Sequence, residues 1–185
     1  MAPASRDSEG TKARTFALLG SAVFFLFAPG TVAGLVPWWM SRWQVHPPFL
    51  GMTFFRVVGG LLIAIGLVIL LEAFLRFALK GIGTPAPIYP TRHLVVTGTY
   101  RFVRNPMYVA VVWLILGQGL LFSNRHLLEY GLCVWLVMHL FVMLYEEPAL
   151  RRSFPDDYAD FTANVPRWIP RLTPWDGRGN KCWLR

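Results

Sequence analysis

Residues 49–71 read FLGMTFFRVVGGLLIAIGLVILL, a run of membrane-spanning length interrupted by a single cation, Arg56. A bilayer core takes about 20 apolar residues per helix, and this run continues with little polarity toward Leu79. Three more runs are comparable. Phe16–Trp39 carries Pro29-Gly30, which a membrane helix tolerates as a kink. Pro106–Phe122 begins on a proline, suited to a first helical position, and Leu127–Tyr145 follows after only SNRH, so these two form an antiparallel hairpin. The chain is 55% hydrophobic and 15% charged, against roughly 25% charged in an average soluble domain. The expectation is an all-α integral membrane protein of four or five transmembrane helices.

Charge orients the bundle. With the N-terminus in the cytoplasm, 14 of the 18 Lys and Arg fall on the cytoplasmic side and two, Arg42 and Arg125, on the other, with Arg56 and Arg76 inside span two. That asymmetry is the positive-inside pattern. Both termini, the 80–105 loop and the 148–185 tail then share the cytoplasmic side. The net charge of +8 lies beside apolar runs, so lipid phosphates rather than nucleic acid are the expected partner. Cys133 and Cys182 give neither a disulfide framework nor a zinc spacing, so no metal site is expected. The first span is too long for a cleaved signal peptide. Two regions follow: a transmembrane hairpin over 1–79, and a catalytic region over 80–185 made of a loop, the helix hairpin 106–147 and a C-terminal arm.

Three cytoplasmic stretches are more polar than a linker requires: RHLVVTGTY (92–100), RNPMY (104–108) and YEEPAL (145–150). The hairpin brings the last two together, setting Arg104, Asn105 and Tyr108 against Glu146 and Glu147. Ionisable groups at membrane depth cost a few kcal/mol each unless paired or used, and a glutamate pair at a helix C-terminus calls for a cation. Topology anchoring and simple salt bridges explain the same residues. His139 reads as a packed, hydrogen-bonded histidine, Glu129 as solvated, Glu72 and Arg76 as an i,i+4 pair, Gly59, Gly60 and Gly66 as close-packing positions, and Trp38, Trp39, Trp43, Trp168 and Trp175 as interfacial aromatics.

LVVTGTYRFVRNPMY, followed about forty residues later by YEEPALRRSFPDDYADFTANVPRWIPRL, resembles the isoprenylcysteine carboxyl methyltransferase and phospholipid methyltransferase superfamily over roughly residues 88–172. Spans one and two resemble it only in being apolar. The resemblance implies an S-adenosyl-L-methionine cofactor in a pocket over the last two long helices, closed by the preceding loop and the arm. It implies cofactor contacts from Arg92, His93, Leu94, Val95, Gly98, Tyr100, Asn105, Pro106, Met107, Tyr108, Glu146 and Tyr158, with Arg167 a further candidate. Arg104 is expected to orient an anionic part of a lipophilic substrate, and Glu147 or a tyrosine to accept a proton where the methyl acceptor is an amine. Three positions depart from the family pattern: Asn105 replaces a histidine, Phe154-Pro155 replaces Phe-Gly, and Val142 stands where prenylcysteine enzymes carry a substrate-binding arginine. No Gly-rich strand-to-helix turn marks a Rossmann fold. The competing readings are a sterol-type NADPH reductase relative and a non-catalytic membrane accessory protein.

Overall fold

A computed structural model describes residues 27–80 and 96–177, and every regular element among them is helical. Helix α1 occupies residues 27–41, α2 Phe54–Lys80, α3 Pro106–Leu121 and α4 Arg125–Phe141. A π turn, Val142–Glu146, carries α4 directly into α5, Glu147–Ser153, and α6 spans Pro155–Asn164. Two stretches are long and apolar enough to cross a membrane: Phe54–Arg76, and Arg125–Ser153 counted as one helix, while Pro106–Leu121 is apolar but shorter. The expected first span lies partly outside the described residues. Its described part runs through Pro29-Gly30 as continuous helix, Gly30 having φ −64° and ψ −39°.

Several boundaries differ from the sequence reading. Residues 49–51 form a 3-10 turn, with Leu50 at φ 54°, and α2 starts only at Phe54. The chain turns from α3 into α4 through Ser123 at φ 54°, and Asn124 caps α4 by accepting from the Leu127 N–H at 3.3 Å, so the helix begins at Arg125. Pro155 opens α6 with Asp156 and Asp157 in its first turn, as the sequence suggests.

Both π turns have one sequence cause. In TVAGLVP and VMLYEEP a proline stands two residues beyond the π segment, Thr31–Leu35 or Val142–Glu146. Proline has no N–H for the carbonyl four residues back and its ring crowds that carbonyl. The helix widens by one residue instead: the Val36 N–H reaches Thr31 O, and the Glu147 N–H reaches Val142 O. In α1 this frees the carbonyls of Val32 and Ala33. Tyr130 of α4 donates its hydroxyl to Val32 O at 3.0 Å, and Gln118 of α3 donates Nε2 to Ala33 O at 2.7 Å. A buried carbonyl without a partner costs about 1–3 kcal/mol, so these two side chains stabilise the widened turn and tie α1 to the hairpin.

Helices α2 and α3 run antiparallel in backbone contact. A Cβ on Gly59 would stand 2.6 Å from Gly117 O, and one on Gly117 2.8 Å from Gly59 O. Gly66 packs on Ala110, whereas a Cβ on Gly60 would meet nothing. The bundle core is Ala33, Leu70, Phe74, Ala110, Val111 and Ile115. A second core lies under the arm: Val96, Tyr158, Phe161, Val165 and Trp175. Trp175 is therefore buried rather than interfacial.

Candidate active site

Pro106 occupies the first turn of α3, and Asn105, its N-cap, makes no side-chain capping bond. The Asn105 Nδ2 donates instead to the Arg167 carbonyl at 3.2 Å. Backbone bonds then lay the arm along the segment before α3: Arg104 N–H to Pro166 O, Arg171 N–H to Phe102 O and Trp175 N–H to Arg101 O, each at 2.9 Å. The arm is thus held against the α3 mouth by backbone and side chain together.

The neighbouring glutamates diverge. Glu147 is 6% exposed. It accepts from Arg167 Nε at 2.6 Å and Nη2 at 2.9 Å, and from Arg104 Nη1 at 3.1 Å. Two guanidinium groups therefore occupy the carboxylate, one from the α3 mouth and one from the arm. The hydrogen bond to Glu147 also raises the Arg167 pKa above its ordinary value. Glu146 accepts from the Tyr108 hydroxyl at 3.2 Å and, among the described residues, forms no ion pair. Adjacent residues on a helix point about 100° apart, so the two carboxylates leave the chain in different directions.

Glu146 faces a cavity of about 170 Å³. Tyr100, Arg104, Asn105 and Tyr108 form its polar wall, and Pro106 and Met107 line it as well. Ala28, Pro29 and Val32 of α1, Leu70 and Phe74 of α2, Val111 of α3 and Met138 of α4 form the apolar wall. The Nε of Arg104 is buried without a hydrogen-bond partner. Burial, with Glu146, Tyr108 and Glu72 adding to it, holds the Tyr100 hydroxyl well above the usual tyrosine range, so it stays protonated and can donate.

The structure thus gathers Tyr100, Arg104, Asn105, Pro106, Met107, Tyr108 and Glu146 around one space. It puts three other expected site residues elsewhere. Glu147 is absent from the cavity lining and latches the arm. Tyr158 is buried in the arm's own core, where burial and then the Glu147 carboxylate raise its pKa against the opposing effect of Arg104. Gly98 has φ 61°, and a Cβ there would collide with Glu72 and Arg76. Those two residues pair as expected, and Glu72 also accepts from the Thr99 hydroxyl at 2.8 Å, fixing the turn that carries Tyr100. Arg92, His93, Leu94 and Val95 lie outside the described residues. Val142, at the position of the missing arginine, is 1% exposed. His139 accepts from Trp168 Nε1 at 2.9 Å, and Glu129 is exposed but bridged to Arg125 and His126.

Sequence reasoning missed the apolar wall from α1 and α2, and with it Gln118 and Tyr130. The proline two residues beyond each π segment was the available signal.

A helical bundle long enough to cross a membrane, with a mixed polar and apolar cavity at the mouth of its hairpin, defines a membrane protein able to hold a charged group beside an apolar one. The model of the phospholipid methyltransferase family matches residues 54–157, more than half of the chain, and the protein belongs to that family, within the isoprenylcysteine and phospholipid methyltransferase superfamily. The match takes in α2, which the sequence resemblance had left out, and ends inside α6. Among curated proteins, the chain is 29% identical over 90 residues to the cobalt-zinc-cadmium resistance protein CzcN of Cupriavidus metallidurans, covering 49% of this chain and 40% of that protein. It is 31% identical over 80 residues to the nickel-cobalt-cadmium resistance protein NccN of Alcaligenes xylosoxydans xylosoxydans, covering 43% and 37% respectively. The chain thus spans about two fifths of the length of these relatives.

Proposed function

We propose that the protein is an S-adenosyl-L-methionine-dependent methyltransferase whose acceptor is a lipophilic carboxylate or amine. The observation that carries this reading is Glu146: a carboxylate facing a cavity, hydrogen-bonded to Tyr108, one residue away from a carboxylate held by two arginines. A carboxylate at membrane depth is costly unless used, and a cationic ligand group would compensate it.

The residues fit one end of the cofactor. Glu146 and the Tyr108 hydroxyl suit an ammonium or sulfonium, and the Arg104 guanidinium on the cavity wall suits a carboxylate. At about 170 Å³ the cavity among the described residues lies below the roughly 300–1,000 Å³ of usual ligand pockets, a size that suits one end of such a molecule. When bound, the cofactor supplies an electrophilic methyl group on sulfur and leaves as a neutral thioether.

The chain's own contribution is alignment and charge. Fixing donor and acceptor in line can lower a barrier by several kcal/mol, and preorganised dipoles add to this. Tyr100 and Tyr108 offer hydroxyls to the reacting centre, Arg104 orients an anionic part of the substrate, and the α1–α2 wall takes an apolar part. Glu147 acts as a positioning group: it holds Arg104 at the cavity wall and Arg167 on the arm. Its two oxygens already accept from guanidinium groups, which makes it a poor acceptor for a substrate proton. The charge asymmetry of the chain supports a cytoplasmic cavity mouth, with four spans in all. Residues 80–185 act as the catalytic region, but with α1 and α2 completing its cavity.

The test is binding of radiolabelled S-adenosyl-L-methionine to purified protein. Competition by S-adenosylhomocysteine and indifference to NADPH is the expected outcome. Competition by NADPH would favour a reductase, and no binding a non-catalytic role. Incubation with membrane extract and cofactor, followed by a search for lipids that gain a methyl, then identifies the acceptor.

A further inference from the structure

The arm touches the α4–α5 helix at two heights. Arg167 is tied to Glu147, at the polar end of the span, yet the next residue, Trp168, donates its indole N–H to His139 Nδ1 at 2.9 Å. The same indole packs edge-on against Trp135, with ring centroids 6.1 Å apart. Glu147 and His139 are eight residues apart, about 12 Å along a helix. One step of the arm therefore reaches well down the apolar flank of α4. Around the same stretch of helix Leu136, Val137, Leu140 and Leu144 are exposed, and the stretch belongs to a candidate membrane span. On the arm, Ile169 directly follows Trp168 and is 78% exposed, and Leu172, four residues beyond Trp168, is 99% exposed.

Sequence and backbone suit a lipid environment. Pro166, Pro170 and Pro174 remove three N–H donors that lipid could not satisfy. Pro166 O, Arg167 O and the Arg171 N–H are bonded to the segment before α3. Cations flank the apolar pair: Arg171 donates to Asn164 O at 2.7 Å, and Arg151 and Arg152 are exposed at the end of α5. Apolar side chains with cations beside them are the signature of a segment lying at the boundary of headgroups and acyl chains.

We propose that residues 168–172 are a membrane-inserted wedge, with Ile169 and Leu172 entering the acyl region of the leaflet nearest the cavity while Arg171, Arg151 and Arg152 meet lipid phosphates. The partner is the bilayer itself. The arm is thereby held from two sides, by the Glu147 latch and by lipid.

The test uses full-length protein in phosphatidylcholine nanodiscs, with Cys133 and Cys182 replaced by serine and a single bimane-labelled cysteine at Leu172→Cys, Ile169→Cys or Ala163→Cys. Ala163 is exposed on α6 and serves as the aqueous reference. Label at 172 should be quenched by lipids bearing a nitroxide on the acyl chain, and its quenching by iodide should be roughly threefold or more below that at 163. Label at 169 should behave like label at 172, which guards against a local failure at either position. Iodide quenching at 169 and 172 equal to that at 163, with no effect of nitroxide lipid, would overturn the proposal. Neither readout depends on cofactor binding or turnover.

Discussion

Helix α3 has two unlike ends. Near Gly117 its backbone lies on that of α2, with carbonyl oxygens where a Cβ would need to be. About ten residues away, at Met107 and Tyr108, the same helix borders a cavity shared with α1, α2 and α4. Small residues draw backbones together and leave no room, whereas long side chains and a widened turn hold them apart and leave a cavity with a charged wall. The closed end supplies rigidity and the open end supplies chemistry.

The largest expected effect comes from Glu147→Ala, which leaves Arg104 and Arg167 without their shared partner. Removing one member of a buried ion pair costs about 3–5 kcal/mol. The arm should detach, read as faster proteolysis between α5 and residue 177 while α2 to α4 stay protected. An arm that keeps wild-type protection would reduce the latch to a surface contact.

Glu146→Gln keeps the size and the bond to Tyr108 but removes the charge. Hydrogen bonds to charged groups contribute about 1.5–3 kcal/mol, so affinity for S-adenosylhomocysteine should fall roughly tenfold or more, with the melting temperature unchanged or raised. Affinity equal to wild type would mean that the open end is not where the ligand's cation sits.

Pro148→Ala separates register from charge. The restored N–H allows an ordinary α-helical turn, which would rotate Glu146 off the cavity. Thermal stability should rise while ligand affinity falls by no more than in Glu146→Gln. A Tyr108→Cys/Glu146→Cys pair in the Cys133→Ser, Cys182→Ser background, too far apart for a direct disulfide, should be joined readily by a short bifunctional thiol cross-linker with Pro148 and poorly with alanine there. Equal cross-linking would show that the widened turn survives without its proline.

The closed end offers a contrast between two adjacent positions. Gly59→Ala puts a methyl into the Gly117 carbonyl and should cost roughly 1–3 kcal/mol of stability. Gly60→Ala, one residue on, meets nothing and should stabilise by about 0.5–1 kcal/mol. Thermal melts of the two variants in the same detergent make the contrast. Loss of stability in both would indicate that Gly60 also faces a packed surface.

Much of the open end was legible in the chain. The short link between α3 and α4 forces their distant ends together, so RNPMY had to meet YEE, and Tyr108 does bond Glu146. Local rules also gave the Glu72–Arg76 pair and the start of α6. They did not separate Glu146 from Glu147, because which carboxylate meets arginine depends on an arm that returns from twenty residues away. Nor did they show that α1 and α2 form the apolar wall, since apolar runs alike in composition carry no record of which faces meet.

The sequence alone determined that the chain is a set of apolar helices with a charged mouth at one hairpin, because span length, loop length and proline position act locally. Tertiary structure decided which glutamate is spent on holding the arm and which is left facing the cavity. That choice rests on contacts between residues far apart in the chain, where only packing fixes the distance between charges.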